Sequence, residues 1–267
     1  MSTTSATARA GETNLSCLIA TTPWSGSMLL CGALRATGLA GDPRDYFNPF
    51  EVVRRGEGWG VLGSEGDFAV RYLNAVGRAA TGSNGVLSVN LPWSHQRWLV
   101  RVARAALPNG SPAATRSDAE VLEAWYPRTH YLYMTSDDKA RQAIDWYLGR
   151  PVGPAPVGGA PQPGEPPDFQ EVRWIESLIS RQEQAWETYF QLHGIDVHRV
   201  RYETLLEHPE ETVAGIFQWL KLPAPPPEDW ADEIRQQRLA GPADWMPGYL
   251  AGRDWLSETI GARQGRN

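Results

Sequence analysis

Residues 15–20 (LSCLIA) form a short apolar run, followed by the turn formers TTPWSG and then SMLLCGALRATG, which is apolar at Leu29, Leu30, Ala33 and Leu34 and stops on Gly38. An apolar run, a tight turn and helical spacing closed by glycine predict a strand, a loop and a helix in that order. The alternation continues. Residues 68–80 have helical spacing, Asn84 and Gly85 open the strand-like VLSVNL, and residues 94–107 carry a second amphipathic pattern. Ser117 opens S-D-A-E, a capping box for a helix through Trp125, and residues 130–134 (HYLYM) have the composition of a buried strand before a helix from about Asp137. Strands separated by helices pair in parallel, so the pattern predicts an α/β fold with a central, mostly parallel sheet.

Residues 149–167 hold 12 Gly or Pro in 19 positions and cannot form a regular element. They are expected to be an irregular loop or lid in which proteolysis cuts first. Residues 168–193 predict a long helix with Trp174, Leu178, Ile179, Ala185, Trp186 and Phe190 facing one way, before the strand VHRVRY (197–202). Residues 210–220 are helical, LPAPPPEDW breaks that helix, and an irregular C-terminal segment is expected from about Pro223. The expected organisation is a disordered lead-in over 1–14 and a single domain over 15–267.

The charge balance narrows the function. With 25 Lys or Arg against 31 Asp or Glu, the net charge of −6 and the absence of a basic run argue against a nucleic-acid binder and against a polyanionic acceptor. No apolar run approaches a membrane span, and the first 14 residues lack the apolar core of a secretory signal, so a cytoplasmic protein is expected. Cys17 and Cys31 have neither a disulfide framework nor a zinc-site pattern around them and sit where a strand and a helix face are predicted. His130, His193, His198 and His208 show no metal-ligand spacing, and no metal is expected. The 12 Trp have no repeat period and suit core packing, with a few free to line an apolar acceptor pocket.

Chemistry concentrates in the first strand-to-helix turn, Thr21-Thr22-Pro23-Trp24-Ser25-Gly26-Ser27. Free amides at a helix N-terminus and the positive end of its dipole suit an anion, and the hydroxyls of Ser25 and Ser27 add donors beside Gly26. The segment is neither G-x-G-x-x-G nor G-x-x-x-x-G-K-[ST], so the nicotinamide and Walker-type readings lose their best support. T-T-P-W-S-G-S-M resembles the donor-binding loop of the PAPS-dependent sulfotransferases, usually T-x-P-[KR]-S-G-[ST]. Arg201-Tyr202-Glu203-Thr204-Leu205-Leu206-Glu207-His208-Pro209-Glu210, followed by residues 217–223, is similar to that family's R-Y-E-D-L-x-x-D-P segment. LRATGLAGDPRDYF, NGVLSVNLPW, Gln142-Ala143 and Arg235-Gln236-Gln237 resemble the bacterial trehalose-sulfotransferase-like branch.

The resemblance implies a P-loop-like three-layer sandwich, the sulfotransferase fold, and transfer of a sulfuryl group from PAPS to a hydroxyl of a small, partly apolar molecule. It places Trp24, Ser25, Gly26 and Ser27 on the donor, with Trp24 standing where the family has a basic residue. The family's Arg and Ser on the 3′-phosphate fall on Ser136 or Asp137 and on Asp145, carboxylates that would repel it; Lys139 or Arg141 would compensate, and Arg141 or Arg235 would supply charge at the transferred group. Asp45 takes the place of the branch's general base, and Asn90 that of the histidine base of the cytosolic branch. His95 is the next candidate base, provided the chain bends back. The changed positions leave two rivals open: an enzyme of the same fold that no longer uses PAPS and performs acid-base cyclisation or elimination, and a non-catalytic binding protein.

Overall fold

Four parallel strands, β1 (Leu15–Thr21), β2 (Val86–Pro92), β3 (Thr129–Thr135) and β4 (Val197–Arg201), form a sheet in the order β2-β1-β3-β4. The computed structural model describes residues 13–62, 67–108, 116–149 and 168–238. The expected lead-in, nearly all of the Gly/Pro-rich loop and the end of the chain lie outside the described residues. Strand β1 is central: Leu18 lies opposite Val89 on one side and Tyr131 on the other. A strand covered on both faces has no polar side, which is why LSCLIA in central β1 and VLSVNL in β2 at the sheet edge are continuous runs rather than alternating ones.

The helices follow as α1 (Ser27–Ala36), α2 (Val52–Gly58), α3 (Phe68–Ala80), α4 (Trp93–Ala105), α5 (Asp118–Trp125), α6 (Lys139–Leu148), α7 (Phe169–His193), α8 (Tyr202–Glu207), α9 (Pro209–Trp219) and α10 (Ala231–Arg238). They sort onto two faces. Leu18, Ala20, Val89, Leu91 and Tyr133 pack with residues of α3, α4, α5 and α7, whereas Cys17, Ile19, Leu132, Met134 and Val200 pack with α1, α9 and α10. The result is the helix–sheet–helix sandwich expected from the β/α alternation. Helix α6 closes a third apolar cluster with the first half of α7, through Ala143, Ile144, Val172, Ile175 and Ile179.

Local signals explain the element ends. Ser117 accepts from the Glu120 amide while the Glu120 carboxylate accepts from the Ser117 amide, the reciprocal capping box predicted for α5. Asp168 caps α7 by accepting from the amides of Gln170 and Glu171 at 2.8 and 3.1 Å. The apolar stripe of α7 differs from expectation. Trp174 is 54% exposed, and the inward positions are Val172, Ile175, Ile179, Trp186 and Phe190, because the start of this helix packs against α6 and its end against the sheet. The segment from Pro223 is also more regular than expected: a 3-10 turn at Pro227–Asp229 leads into α10, and Trp230 and Ile234 plug the α1 side of the core. Two short helices, α2 and α8, had no periodic signal at seven and six residues. Among the described residues no helix is long and apolar enough to cross a membrane.

Trp186 ties α7 to the sheet, since its fully buried indole Nε1 donates to the carbonyl of Thr21 at 2.8 Å. Trp186→Phe keeps most of the apolar volume but orphans that carbonyl. Urea unfolding should show a loss of about 1–3 kcal/mol; an unchanged midpoint would mean that the carbonyl finds another donor.

Candidate active site

Because β1 ends inside the sheet, the chain leaves it through a buried turn in which Thr21, Thr22 and Ser25 are fully shielded from solvent. Trp24 and Gly26 both lie in the left-handed region, at φ +62° and +84°. Turning the chain twice in this sense curls successive amides toward one side, the geometry of an anion-binding nest. Among the described residues the amides of Gly26, Ser27 and Met28 meet no carbonyl acceptor, and α1 has neither a side-chain cap nor an acidic residue in its first turn. The fully buried Ser25 Oγ has no partner either. An anion at this point meets open donors and the positive end of a ten-residue helix.

Glycine is required at position 26 for a second reason: a Cβ there would come within 2.1 Å of Cδ2 of Tyr202, whose ring lies on the turn. Trp24 is half exposed. The far edge of the ring lies on Gly149 at the end of α6, so tightly that a Cβ on Gly149 would come within 2.0 Å of it. Trp24 thus straps the turn to α6 in the place where the family carries a basic side chain.

Side chains from three other elements satisfy the turn's own polar groups. Thr21 Oγ1 donates to Asn90 Oδ1 at 3.1 Å, and Asn90 Nδ2 donates to Ser27 Oγ at 3.4 Å. Ser27 is therefore an acceptor toward the protein, and its own proton remains to be donated. Gln142 of α6 donates to Thr22 Oγ1 at 2.9 Å and to the Pro23 carbonyl at 2.7 Å. Asn90 is a brace here, consistent with an amide's inability to act as a base.

Asp45 and His95 are brought together. Arg44 forms a one-residue parallel bridge with Val89, and its carbonyl accepts from the Asn90 amide at 3.0 Å, which pins the GDPRDYF segment beside β2. The chain reverses between Pro92 and Trp93 into α4, so His95 comes back over that segment. Its Nδ1 lies 3.1 Å from each oxygen of the Asp45 carboxylate, and both side chains keep a small opening to solvent. Asp42 instead belongs to the turn, holding Arg44 Nε at 2.8 Å.

The ends of β3 and β4 form a ledge of a different character. Glu203 Oε1 accepts from Ser136 Oγ at 2.7 Å and from the amides of Asp137 and Asp138 at 3.0 and 3.4 Å. Burial by itself pushes the Glu203 carboxyl up, but the hydrogen bonds from Ser136, the Asp137 and Asp138 amides and its own amide outweigh it and hold the pKa below the ordinary glutamate value. The Asp138 side chain caps α6 through the Arg141 amide at 2.9 Å. Arg201 pairs with Asp137 at 2.9 Å and Arg141 with Asp145 at 3.5 Å, while burial raises the Asp145 pKa against the opposing charge of Arg141. Lys139 is bound to Glu183 and to the Ser136 carbonyl. Arg235 stands on α10 and pairs with Asp232 at 3.0 Å.

A cavity of about 940 Å³ runs from this ledge along β4, but Lys139, Arg199 and Arg201 on its walls are already paired with Glu183, Glu187 and Asp137. Burial pushes the Cys17 thiol up to about 12 and the Cys31 thiol up as well, so neither is a nucleophile at neutral pH. No group of three or more metal-ligating side chains occurs among the described residues.

A family model described as Stf0 sulphotransferase matches residues 16–251 of the chain. The protein belongs to that family. It is 26% identical over 259 residues to a protein named trehalose 2-sulfotransferase from Mycobacterium tuberculosis, an alignment that covers 82% of this chain and 94% of that protein. A solved sulfotransferase domain from the Synechococcus PCC 7002 olefin synthase matches with 18% identity and a TM-score of 0.39, covering 78% of this chain and 74% of that one. The protein is thus a sulfotransferase-like transferase, and its sheet-centred sandwich is the sulfotransferase fold.

PAPS, the sulfuryl donor generally used by the family, carries two anionic ends, a 5′-phosphosulfate and a 3′-phosphate. The open amides at 26–28 and the orphaned Ser25 hydroxyl fit the first. The ledge fits the second poorly: the positions to which the resemblance assigns the family's Arg and Ser hold Ser136 or Asp137 and Asp145, and Arg201 and Arg141 are already paired with Asp137 and Asp145. Sequence reasoning reached Ser136, Asp137 and Asp145 from the family pattern but missed Glu203 as their partner, since nothing local to residue 203 points 67 positions back to Ser136.

Glu203→Gln tests the ledge. Because the folded pKa is depressed, the charged form stabilises the protein above the ordinary glutamate pKa, and that contribution disappears as pH falls through the folded value. Thermal unfolding should show the variant weaker by on the order of 1 kcal/mol at neutral pH, a figure discounted for partial solvation, and equal to the parent in acid. A gap that persists in acid would assign the effect to shape rather than charge.

Proposed function

We propose that the protein transfers a sulfuryl group from an activated sulfate seated at residues 24–28 to a hydroxyl of a small molecule, with His95 as the proton acceptor. The hydrogen-bonded Asp45–His95 pair carries this reading. With Nδ1–H donated to the Asp45 carboxylate, the imidazole keeps Nε2 as an acceptor for the proton of the incoming hydroxyl. Asp45 is one methylene shorter than a glutamate, and the imidazole extends its reach. Asp45 is then a positioning residue, a change from the expectation that its carboxylate meets the substrate directly.

As the acceptor oxygen bonds to sulfur, the bond from sulfur to the bridging oxygen breaks, and the phosphate leaves with the electron pair. Charge develops on that oxygen, toward which the Gly26, Ser27 and Met28 amides and the Ser27 hydroxyl serve as donors. The relative named for trehalose supports a small, hydroxyl-rich acceptor. Phe50 and Val53, left exposed on the segment that follows Asp45, suit one with apolar faces. No observation favours cyclisation, elimination or a purely binding role.

His95→Gln and Asp45→Asn should each lower kcat by about 10²–10⁴, with acceptor KM little changed. The double variant should be no slower than His95→Gln, because the two groups act as one unit, and Asp42→Asn should stay close to the parent. If His95→Gln keeps its activity while Asp45→Asn loses it, the carboxylate is itself the base.

A further inference from the structure

We infer that Trp24 is a positioning residue for the activated sulfate: anchored on Gly149, its indole holds the turn after β1 in the conformation in which backbone amides receive the anion. This deepens the sulfotransfer reading above and rests on it. Pro23 and Trp24 are the central residues of a four-residue turn closed by the Ser25 amide, which donates to the Thr22 carbonyl at 3.3 Å. Proline at the first central position and φ +62° at the second give the type II form, whose second position favours glycine. A tryptophan stays in that left-handed region only where its surroundings hold it there.

Two contacts with α6 do so. Gln142 donates to the Pro23 carbonyl at 2.7 Å and so orients the peptide that joins Pro23 to Trp24. The indole fixes the other side of residue 24: a Cβ on Gly149 would lie 2.0 Å from its Cη2 and 2.2 Å from its Cζ2. Gly149 ends α6 at φ −90°, a conformation open to residues with side chains, so glycine is needed there to make room for the ring. Trp24 and Gly149 are thus complementary in size.

A type II turn differs from the commoner type I in the direction of its central peptide. Reversal of that peptide would take the Pro23 carbonyl off Gln142 and place its oxygen where the Trp24 amide now points, an acceptor in place of a donor. The same turn carries the buried Ser25 hydroxyl, which has no partner, and leads into the amides of Gly26, Ser27 and Met28, which meet no carbonyl acceptor among the described residues. Exchanging a donor of such a turn for an acceptor weakens its hold on an anion. Charge offers no substitute. Trp24 is uncharged, and Lys139, Arg141 and Arg201 on the neighbouring elements are paired with Glu183, Asp145 and Asp137. Affinity for the anion therefore depends on donors already set in place, since a preorganised site loses less freedom when it binds.

Calorimetry on the full chain with inorganic pyrophosphate and with PAP as probes tests this, with thermal unfolding as the check that each variant is folded. Trp24→Ala should weaken both probes by about tenfold, and Gly149→Ala, which expels the ring and leaves the turn's own residues intact, should do the same. Combined, the two substitutions should weaken binding no more than either alone, because they remove one contact. A merely structural role for Trp24 would lower the unfolding temperature and leave the dissociation constants of the folded protein where they are. Should Trp24→Ala fail to fold, Gly149→Ala by itself decides. Parent-like affinity in either folded variant, or losses that add in the double variant, overturns this inference and leaves sulfotransfer standing. Binding of neither probe by the parent overturns both.

Discussion

The site depends on one constraint: β1 is hydrogen-bonded on both sides and ends in the interior, so the turn after Thr21 must satisfy its polar groups where water does not reach. A buried carbonyl or hydroxyl without a partner is expensive, and each partner here comes from a different element, Asn90 from β2, Gln142 from α6 and Trp186 from α7. Those bonds hold the turn from the sheet side, and among the described residues the amides of 26–28 meet no carbonyl acceptor. Satisfying the inner groups and exposing the outer ones is a single arrangement. It is also what allows a non-glycine residue, Trp24, to stay in the left-handed region, since its ring is held against Gly149.

Charge is distributed with equal economy. The chain is acidic overall, yet α1 has no acidic residue in its first turn and its amides at 26–28 meet no carbonyl acceptor among the described residues, while the start of the neighbouring α6 is capped by Asp138 and Glu203. On the acceptor side the Asp45–His95 pair lies where the segment bridged to β2 meets the first turn of α4, both fixed by the sheet rather than by a loop. Placing acid-base groups on rigid elements restricts their orientation before substrate arrives.

Much of this was legible in the primary structure, because strands buried on both faces, glycine stops and capping boxes are local signals. LSCLIA, VLSVNL and HYLYM each appear as a strand, and Ser117 and Asp168 cap the helices they precede. The turn after the first strand could be located because a hydroxyl-rich segment with proline and glycine between a strand and a helix is a local signal. Short helices without a full period, α2 and α8, left no such mark, and the inward face of α7 was misjudged because α6 packs against its first half.

What the sequence determined by itself was therefore the order of strands and helices, the hydroxyl-rich turn after β1, and the residue types available for acid-base work. Only the tertiary structure decided which of them meet. His95 follows Asp45 by 50 positions, and Glu203 follows Ser136 by 67. Their contacts arise because parallel strands deliver distant segments to one edge of the sheet, a consequence of strand order that no local pattern encodes. The sequence supplies a histidine, a carboxylate and a hydroxyl; the crossover connections bring His95 to Asp45 and Ser136 to Glu203.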